Sequence, residues 1–155
     1  MGEAYFYHLT RTPLERTLPL LLGKALGAGW RCLVVGGSDV RRAELDAALW
    51  LGDEAAFLPH GPAGGPHDAD QPILLSAEPV EVNGAACLMM IDGAPITPEL
   101  TKAKARVCIL FDGNDAAAVQ TARDQWKALT DGGCGAQYWS EETGAWVKKA
   151  EKSAQ

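Results

Sequence analysis

Apolar residues occur along this chain in short blocks that polar turns separate. The blocks are rich in aliphatic and aromatic residues, and most run without a polar interruption. Such runs are typical of strands buried on both faces of a parallel sheet. The pattern predicts strands at 4–9, 30–35, 73–76, 85–91 and 106–111.

Between these blocks, apolar residues recur at the three- and four-residue spacing of helices. The first helix is expected to begin at Thr12, with Pro13 in its first turn and Glu15 completing a capping box, and to end near Gly27. Two further helices are predicted at 38–50, with Ser38 as its cap, and at 114–130, capped by Asn114 or Asp115.

Strands that alternate with helices predict an open α/β fold, with a mostly parallel sheet covered by helices on both faces. A closing hairpin is expected from 136–139 to 145–148. The segment 59–72, rich in proline and glycine, reads as a loop inside one domain. We therefore predict a single domain over 1–150, followed by a frayed tail over 151–155.

The charge balance narrows the classes of function. Fourteen basic and twenty acidic residues give a net charge of −6, which argues against a dedicated nucleic-acid-binding protein. No apolar run is long enough to span a membrane, and we expect no signal peptide. The cysteines show no metal-binding spacing and are expected to be buried, reduced thiols, which suggests the cytoplasm. They are Cys32, Cys87, Cys108 and Cys134.

Two features raise the possibility of a small enzyme or nucleotide-binding domain. Gly36-Gly37 follows a strand and opens a helix, where a phosphate could bind, but neither common phosphate-loop motif is present. Asp92 and Asp112 each end a strand, and two carboxylates at that edge could hold magnesium. A strand-to-helix turn and two Asp-Gly turns are the simpler interpretations.

The loop also contains possible metal ligands, His60, His67, Asp68 and Asp70. Metal sites need ligands that are held in place, and the prolines and glycines of this loop do not hold them. We find no nucleophile paired with a base. The sequence therefore predicts no catalytic residue, no cofactor and no metal site.

Helix 114–130 offers a more specific feature. Arg123, Trp126, Lys127 and Thr130 follow one another at intervals that place them on a single stripe. Two cations beside an aromatic ring suit a peptide that has acidic residues and an apolar end, because arginine can bind a carboxylate through two hydrogen bonds. A core tryptophan between solvated cations is the alternative.

Several segments resemble the chi subunit of the bacterial DNA polymerase III clamp-loader complex. Leu-Asp-Ala-Ala-Leu-Trp at 45–50 followed by Phe-Leu-Pro-His at 57–60 is the most specific pair. The aromatic strand at 4–7, Asp112 at a strand end, and Ala-Arg-Asp-Gln-Trp-Lys at 122–127 agree with it. The resemblance covers the whole chain in order and length.

This resemblance implies a Rossmann-like fold without nucleotide chemistry and a non-catalytic adaptor with two partners. One partner is the acidic C-terminal tail of the single-stranded-DNA-binding protein. By resemblance, Arg123, Trp126 and Lys127 are the tail-binding residues. Direct, specific DNA binding and membrane association are not expected.

The second implied partner is psi, a small subunit that ties chi to the clamp loader; a helicase shares that surface in some bacteria. The resemblance assigns this surface to aromatic and neighbouring residues at the end of the second helix and beyond it. They are Trp50, Phe57, Pro59 and His60.

The sequence departs from the family near the tail site. Val119 stands where the family can carry a lysine, and a further family cation near Thr130 is missing. The site is therefore expected to be weaker, or to use Lys102, Lys104 or Arg106 as auxiliary contacts.

Overall fold

A computed structural model describes residues 3–50, 60–62, 72–80, 83–141 and 145–154. The side chains of Trp50 and of residues 60–62 lie outside this description. The strands are β1 (Glu3–Leu9), β2 (Cys32–Val35), β3 (His60–Pro62), β4 (Ile73–Ser76), β5 (Cys87–Met90), β6 (Arg106–Asp112), β7 (Gly135–Ser140) and β8 (Val147–Lys152). The helices are α1 (Leu14–Gly27), α2 (Asp39–Trp50), α3 (Pro98–Lys102) and α4 (Ala116–Asp131).

Within the described residues, the strands form one sheet in the order β3-β4-β2-β5-β6-β1-β7-β8. All neighbouring strands are parallel except β8, which pairs antiparallel with β7. The predicted open α/β fold with a mostly parallel sheet is therefore confirmed, as is the closing hairpin.

Helices cover the two faces of the sheet and enclose two cores. On one face Leu18 and Leu22 of α1 and Leu45 of α2 pack on inward residues of the central strands. On the other face Ala122 and Leu129 of α4 pack on Phe6 and its neighbours. Because successive strand residues point to opposite faces, Phe6 and Leu9 of β1 belong to different cores.

The start of α1 differs from its prediction. The helix begins at Leu14 with Pro13 as its N-cap residue, and Pro13 makes no side-chain capping bond. The predicted cap, Thr12, instead gives its hydroxyl hydrogen to Glu141, 2.9 Å away. Glu15, the expected partner in a capping box, forms an ion pair with Arg41 at 2.5 Å.

The other predicted caps are confirmed. Ser38 accepts a hydrogen bond from the backbone of Arg41 at 3.1 Å, and Asp115 accepts one from the backbone of Ala117 at 3.0 Å. The short helix α3 was not predicted, although Thr97 caps it and Pro98 follows in the first turn. Pairing of β8 with β7 continues to Lys152, two residues past the predicted domain boundary.

The four cysteines are free and buried, as predicted. Cys32, Cys87 and Cys108 lie on the adjacent strands β2, β5 and β6, and all three belong to the core that α1 covers. A hydrogen bond to Cys87, together with burial, raises the pKa of the Cys32 thiol.

Candidate functional site

The predicted binding residues lie on α4, the longest helix of the described chain. Ala122 and Leu129 bury its inner side against the sheet, while Arg123 and Lys127 are exposed. Trp126 lies between the buried inner side and the exposed outer side of α4, and it is partly buried. Its position follows from helical spacing, since it is one turn from both Ala122 and Leu129.

Trp126 belongs to an aromatic cluster that rests on β1, β6 and β7. Its ring centroid lies 5.4 Å from that of Phe6 and 6.2 Å from that of Tyr138. Phe111 lies 6.0 Å beyond Tyr138. The hydroxyl of Tyr138 is 2.5 Å from Nδ1 of His8, so the polar end of this ring is satisfied inside the cluster. The cluster holds the indole of Trp126 in place at the surface.

The two cations beside Trp126 differ in their surroundings. Lys127 pairs with Asp131 one turn later, at 2.7 Å, and this hydrogen bond raises the pKa of Lys127. Arg123 is exposed on the preceding turn of the helix. The stripe formed by Arg123, Trp126 and Lys127 therefore presents two exposed charges around one supported aromatic ring. We call it the α4 stripe.

Thr130 does not extend the α4 stripe. It is 4% exposed, and its hydroxyl donates to the backbone carbonyl of Trp126 at 2.8 Å. A threonine on a helix commonly bonds back to the preceding turn in this way. The last polar position of the predicted stripe is thus part of the protein interior.

The auxiliary cations are dispersed. Lys104 is 7% exposed, and its ammonium donates to the carbonyl of Ala85 at 2.9 Å. The guanidinium of Arg106 lies 4.1 Å from the ring centre of Tyr5, on the sheet face opposite α4. Lys102 is exposed at the end of α3. The structure brings neither Lys104 nor Arg106 to the α4 stripe.

The glycine turn between β2 and α2 is packed against protein. A Cβ at Gly36 would overlap the carbonyl oxygen of Ile91 and lie 2.9 Å from Cβ of Ala94. Arg42 donates to the carbonyls of Gly36 and Gly37 and also pairs with Asp39. The glycines therefore serve close backbone packing, and the turn faces a carboxylate and not a phosphate-binding lysine.

Asp92 and Asp112 lie at the same edge of the sheet but have different contacts. Asp92 pairs with Arg41 at 3.2 Å, whereas Asp112 accepts a hydrogen bond from the backbone of Asn114 at 2.9 Å. Among the described residues, no group of three or more histidine, cysteine or acidic side chains is placed to hold a metal ion. The magnesium alternative finds no third ligand in the described part of the chain.

A polar site that no sequence pattern predicts lies at Glu141. The carboxylate of Glu141, 3% exposed, accepts backbone hydrogen bonds from Thr10, Arg11 and Thr12 at 3.2, 2.7 and 2.5 Å. Burial alone would raise the pKa of Glu141, but these donors and the hydroxyl of Thr12 outweigh burial and lower it. No local motif marks Glu141, because its donors come from the opposite end of the chain.

Other predicted residues lie outside the described positions. Phe57, Pro59, His67, Asp68 and Asp70 are among the residues whose placement is not described. Trp50 ends α2 and His60 begins β3, but neither side chain is described. The predicted surface for a second partner therefore lies outside the described side chains.

A protein-family model matches most of the chain. The model of the DNA polymerase III chi subunit, HolC, matches residues 1–137. The chain belongs to this family. The match includes β1, β2, β5, β6 and the whole of α4, so the α4 stripe lies inside the chi-family region. No curated protein sequence matches the chain.

Membership of the chi family supports a role as an accessory subunit of DNA polymerase III. In the described part of the chain, none of the helices has the length and apolar character needed to cross a membrane.

Proposed function

We propose that this chi-family protein is a non-catalytic adaptor that binds the acidic C-terminal tail of the single-stranded-DNA-binding protein and links it to the clamp loader through psi. The observation that supports tail binding is the α4 stripe: Trp126 is held by an aromatic cluster between two exposed cations. An acidic peptide with an apolar end is complementary to this arrangement.

Each member of the stripe has a distinct role in this proposal. Arg123 receives a carboxylate of the tail, because its planar guanidinium can donate two parallel hydrogen bonds. Trp126 supplies apolar surface for the aromatic side chain that ends the tail. Lys127 adds attraction for the acidic residues upstream, after releasing Asp131.

Titration of a labelled tail peptide tests this assignment. Arg123→Ala should weaken binding more than Lys127→Ala, because it removes a geometric match as well as a charge. Arg16→Ala is the matched control, since Arg16 is exposed on α1, on the opposite face of the sheet. Binding should weaken as salt rises, because charges are screened beyond about 10 Å at about 0.1 M salt.

If Arg123→Ala binds the tail peptide as tightly as the unmodified protein, with its circular dichroism unchanged, the tail binds elsewhere. Equal losses for Arg123→Ala and Arg16→Ala would indicate attraction by net charge alone. Either outcome removes the α4 stripe as the tail site.

The link to psi rests on family membership and on Trp50, Phe57, Pro59 and His60. Aromatic residues are enriched among interface positions whose truncation costs more than about 1–2 kcal/mol. Co-purification with psi should therefore be lost in Trp50→Ala and in Phe57→Ala, with tail binding kept. A Phe57→Ala variant that still captures psi would contradict this surface.

The adaptor role includes no hydrolase activity and a cytoplasmic location. Purified protein should neither hydrolyse ATP nor gain thermal stability from nucleotide and magnesium, while the tail peptide should raise its melting temperature. Magnesium-dependent hydrolysis that disappears in Asp92→Asn or Asp112→Asn would support the enzyme alternative instead.

A further inference from the structure

A cleft of about 800 Å³ opens at the carboxyl ends of β1, β5 and β6. Its volume is within the range of ligand sites in proteins, about 300–1,000 Å³. The chain leaves β1 towards α1 on one face of the sheet and leaves the adjacent β6 towards α4 on the other. Open α/β sheets place their ligands at such a divergence of connections.

The cleft lies beside α4 but on a different flank from the α4 stripe. Ala118, Thr121 and Gln125 line the cleft, whereas Arg123 and Lys127 stand two residues after Thr121 and Gln125 in sequence. Successive helix residues are about 100° apart, so these two sets face different directions. A ligand in the cleft and a peptide on the stripe would therefore occupy separate surfaces.

The rim of the cleft is acidic. Four carboxylates line it, from Glu15, Asp92, Asp112 and Asp115, against the guanidinium groups of Arg11 and Arg41. The formal sum is two minus four, or −2. Arg41 pairs with both Glu15 and Asp92, at 2.5 and 3.2 Å, whereas Asp112 and Asp115 are exposed. A positively charged group of a ligand would therefore be attracted to Asp112 and Asp115.

The helix N-termini that border the cleft already bind carboxylates of the protein itself. The backbone N–H groups of Thr10, Arg11 and Thr12, ahead of α1, all point to the carboxylate of Glu141. At the start of α4, Asp115 accepts the N–H of Ala117. Helix N-termini attract anions through such donors, and here the protein's own carboxylates occupy them. An anionic ligand would meet negative charge at both.

The floor of the cleft is apolar. Leu9, Met90, Ile109, Phe111 and Ala122 contribute to its lining. The aliphatic stem of a lysine or arginine packs well on such a surface while its charged end reaches polar groups at the rim. The apolar floor therefore suits the aliphatic stem of a side chain whose charged end is attracted to the acidic rim.

We propose that this cleft receives a lysine or arginine side chain from a basic segment of a protein partner. The stem lies on the apolar floor, and the charged end lies between Asp112 and Asp115. This site goes beyond the tail-binding function, because its ligand has the opposite charge and it lies on another flank of α4.

The test uses a fluorescent, capped peptide in which leucine and arginine alternate, titrated into the full chain. Asp112→Asn combined with Asp115→Asn removes two rim charges and keeps oxygen acceptors for the bonds to Asn114 and Ala117. Glu78→Gln combined with Glu99→Gln removes the same net charge from exposed residues outside the cleft.

We expect the Asp112 and Asp115 variant to bind the peptide about fivefold more weakly, and the control variant to bind it normally. Amide shifts in NMR spectra should concentrate at 10–15, 92–94 and 112–118. An equal loss in both double variants, or equal binding of a leucine–glutamate peptide, would overturn the proposal. So would shifts confined to 123–127, or displacement of the peptide by spermidine at concentrations as low as those of the peptide itself.

Discussion

Glu141 receives both the backbone N–H and the side-chain hydroxyl of Thr12, at 2.5 and 2.9 Å, and so joins the end of β7 to the approach to α1. The carboxylate is almost fully buried, and its identified donors are all uncharged. Hydrogen bonds to a charged group typically contribute about 1.5–3 kcal/mol each to folding. The contact is thus a substantial connection between distant parts of the chain.

Glu141→Gln should lower the free energy of unfolding at pH 7 by about 2 kcal/mol, because the amide group replaces an acceptor by a donor. The pKa of Glu141 is lower in the folded protein than in the unfolded chain, so its contribution is present above the unfolded pKa. It is lost as pH falls through the folded pKa.

Urea unfolding as a function of pH checks both statements. The difference between Glu141→Gln and the unmodified protein should shrink as pH falls below about 4.3. Glu99→Gln, which removes an exposed carboxylate on α3, is the matched control and should change the free energy of unfolding far less. A difference for Glu141→Gln that stays constant down to acidic pH would show that the ionised carboxylate is not what stabilises the fold.

Asp131→Asn should tighten binding of the acidic tail. In the free protein Asp131 holds the ammonium of Lys127 at 2.7 Å, so the tail must compete with it. Removing that competitor leaves Lys127 available, and we expect an increase of about twofold to fivefold in affinity at low salt. Fluorescence titration measures it, with Asp39→Asn, an exposed carboxylate on α2, as the control. Unchanged tail affinity in Asp131→Asn would mean that Lys127 does not contact the tail.

Trp126→Ala should affect both folding and recognition. The ring contacts Phe6 and Tyr138, and its loss should lower the free energy of unfolding by about 2–3 kcal/mol, less than for a fully buried tryptophan. Trp126→Phe keeps an aromatic surface and should retain most of the stability. Denaturant titration separates these variants from Arg123→Ala, whose stability should be unchanged. If Trp126→Ala unfolds like the unmodified protein, the ring is not anchored by this cluster.

Gly36→Ala should be strongly destabilising. Gly36 has φ of 119°, which side chains rarely adopt, and a Cβ there would overlap the backbone of Ile91. We expect a loss of about 3 kcal/mol or more in thermal or urea unfolding. Gly23→Ala is the matched control: it lies inside α1 with nothing within 4 Å of a new Cβ, and should stabilise by about 0.5–1 kcal/mol. Similar effects of the two substitutions would argue against close packing at the turn.

The sequence predicted the elements that depend on local pattern. Continuous apolar runs mark the central strands, and helical spacing predicts a helix at 114–130, where α4 (Ala116–Asp131) lies. Caps that bond within a few residues, such as Ser38 and Asp115, were also predictable. These features depend on neighbours in the chain, so periodicity and turn chemistry are sufficient.

The sequence could not predict contacts between residues that lie far apart in the chain. Thr12 has a suitable residue type for a helix cap, but Glu141, 129 positions away, takes its hydroxyl. Lys104 resembles a surface cation until the fold places the carbonyl of Ala85 beside it. Arg106 is turned away from α4 by the alternation of side chains along β6. Helix α3, by contrast, has a local start signal, a threonine followed by proline and glutamate.

The position of β1 has a consequence for how the protein is made. This strand pairs on one side with β6 and on the other with β7, so that Glu3 lies between Arg106 and Gly135. A growing chain on the ribosome therefore leaves both edges of β1 unpaired until β6 has been synthesised, and one edge unpaired until β7 follows. Pairings between such distant segments form slowly, and exposed strand edges invite aggregation. The aromatic strand Ala4–Leu9 is thus the segment that most needs protection during synthesis.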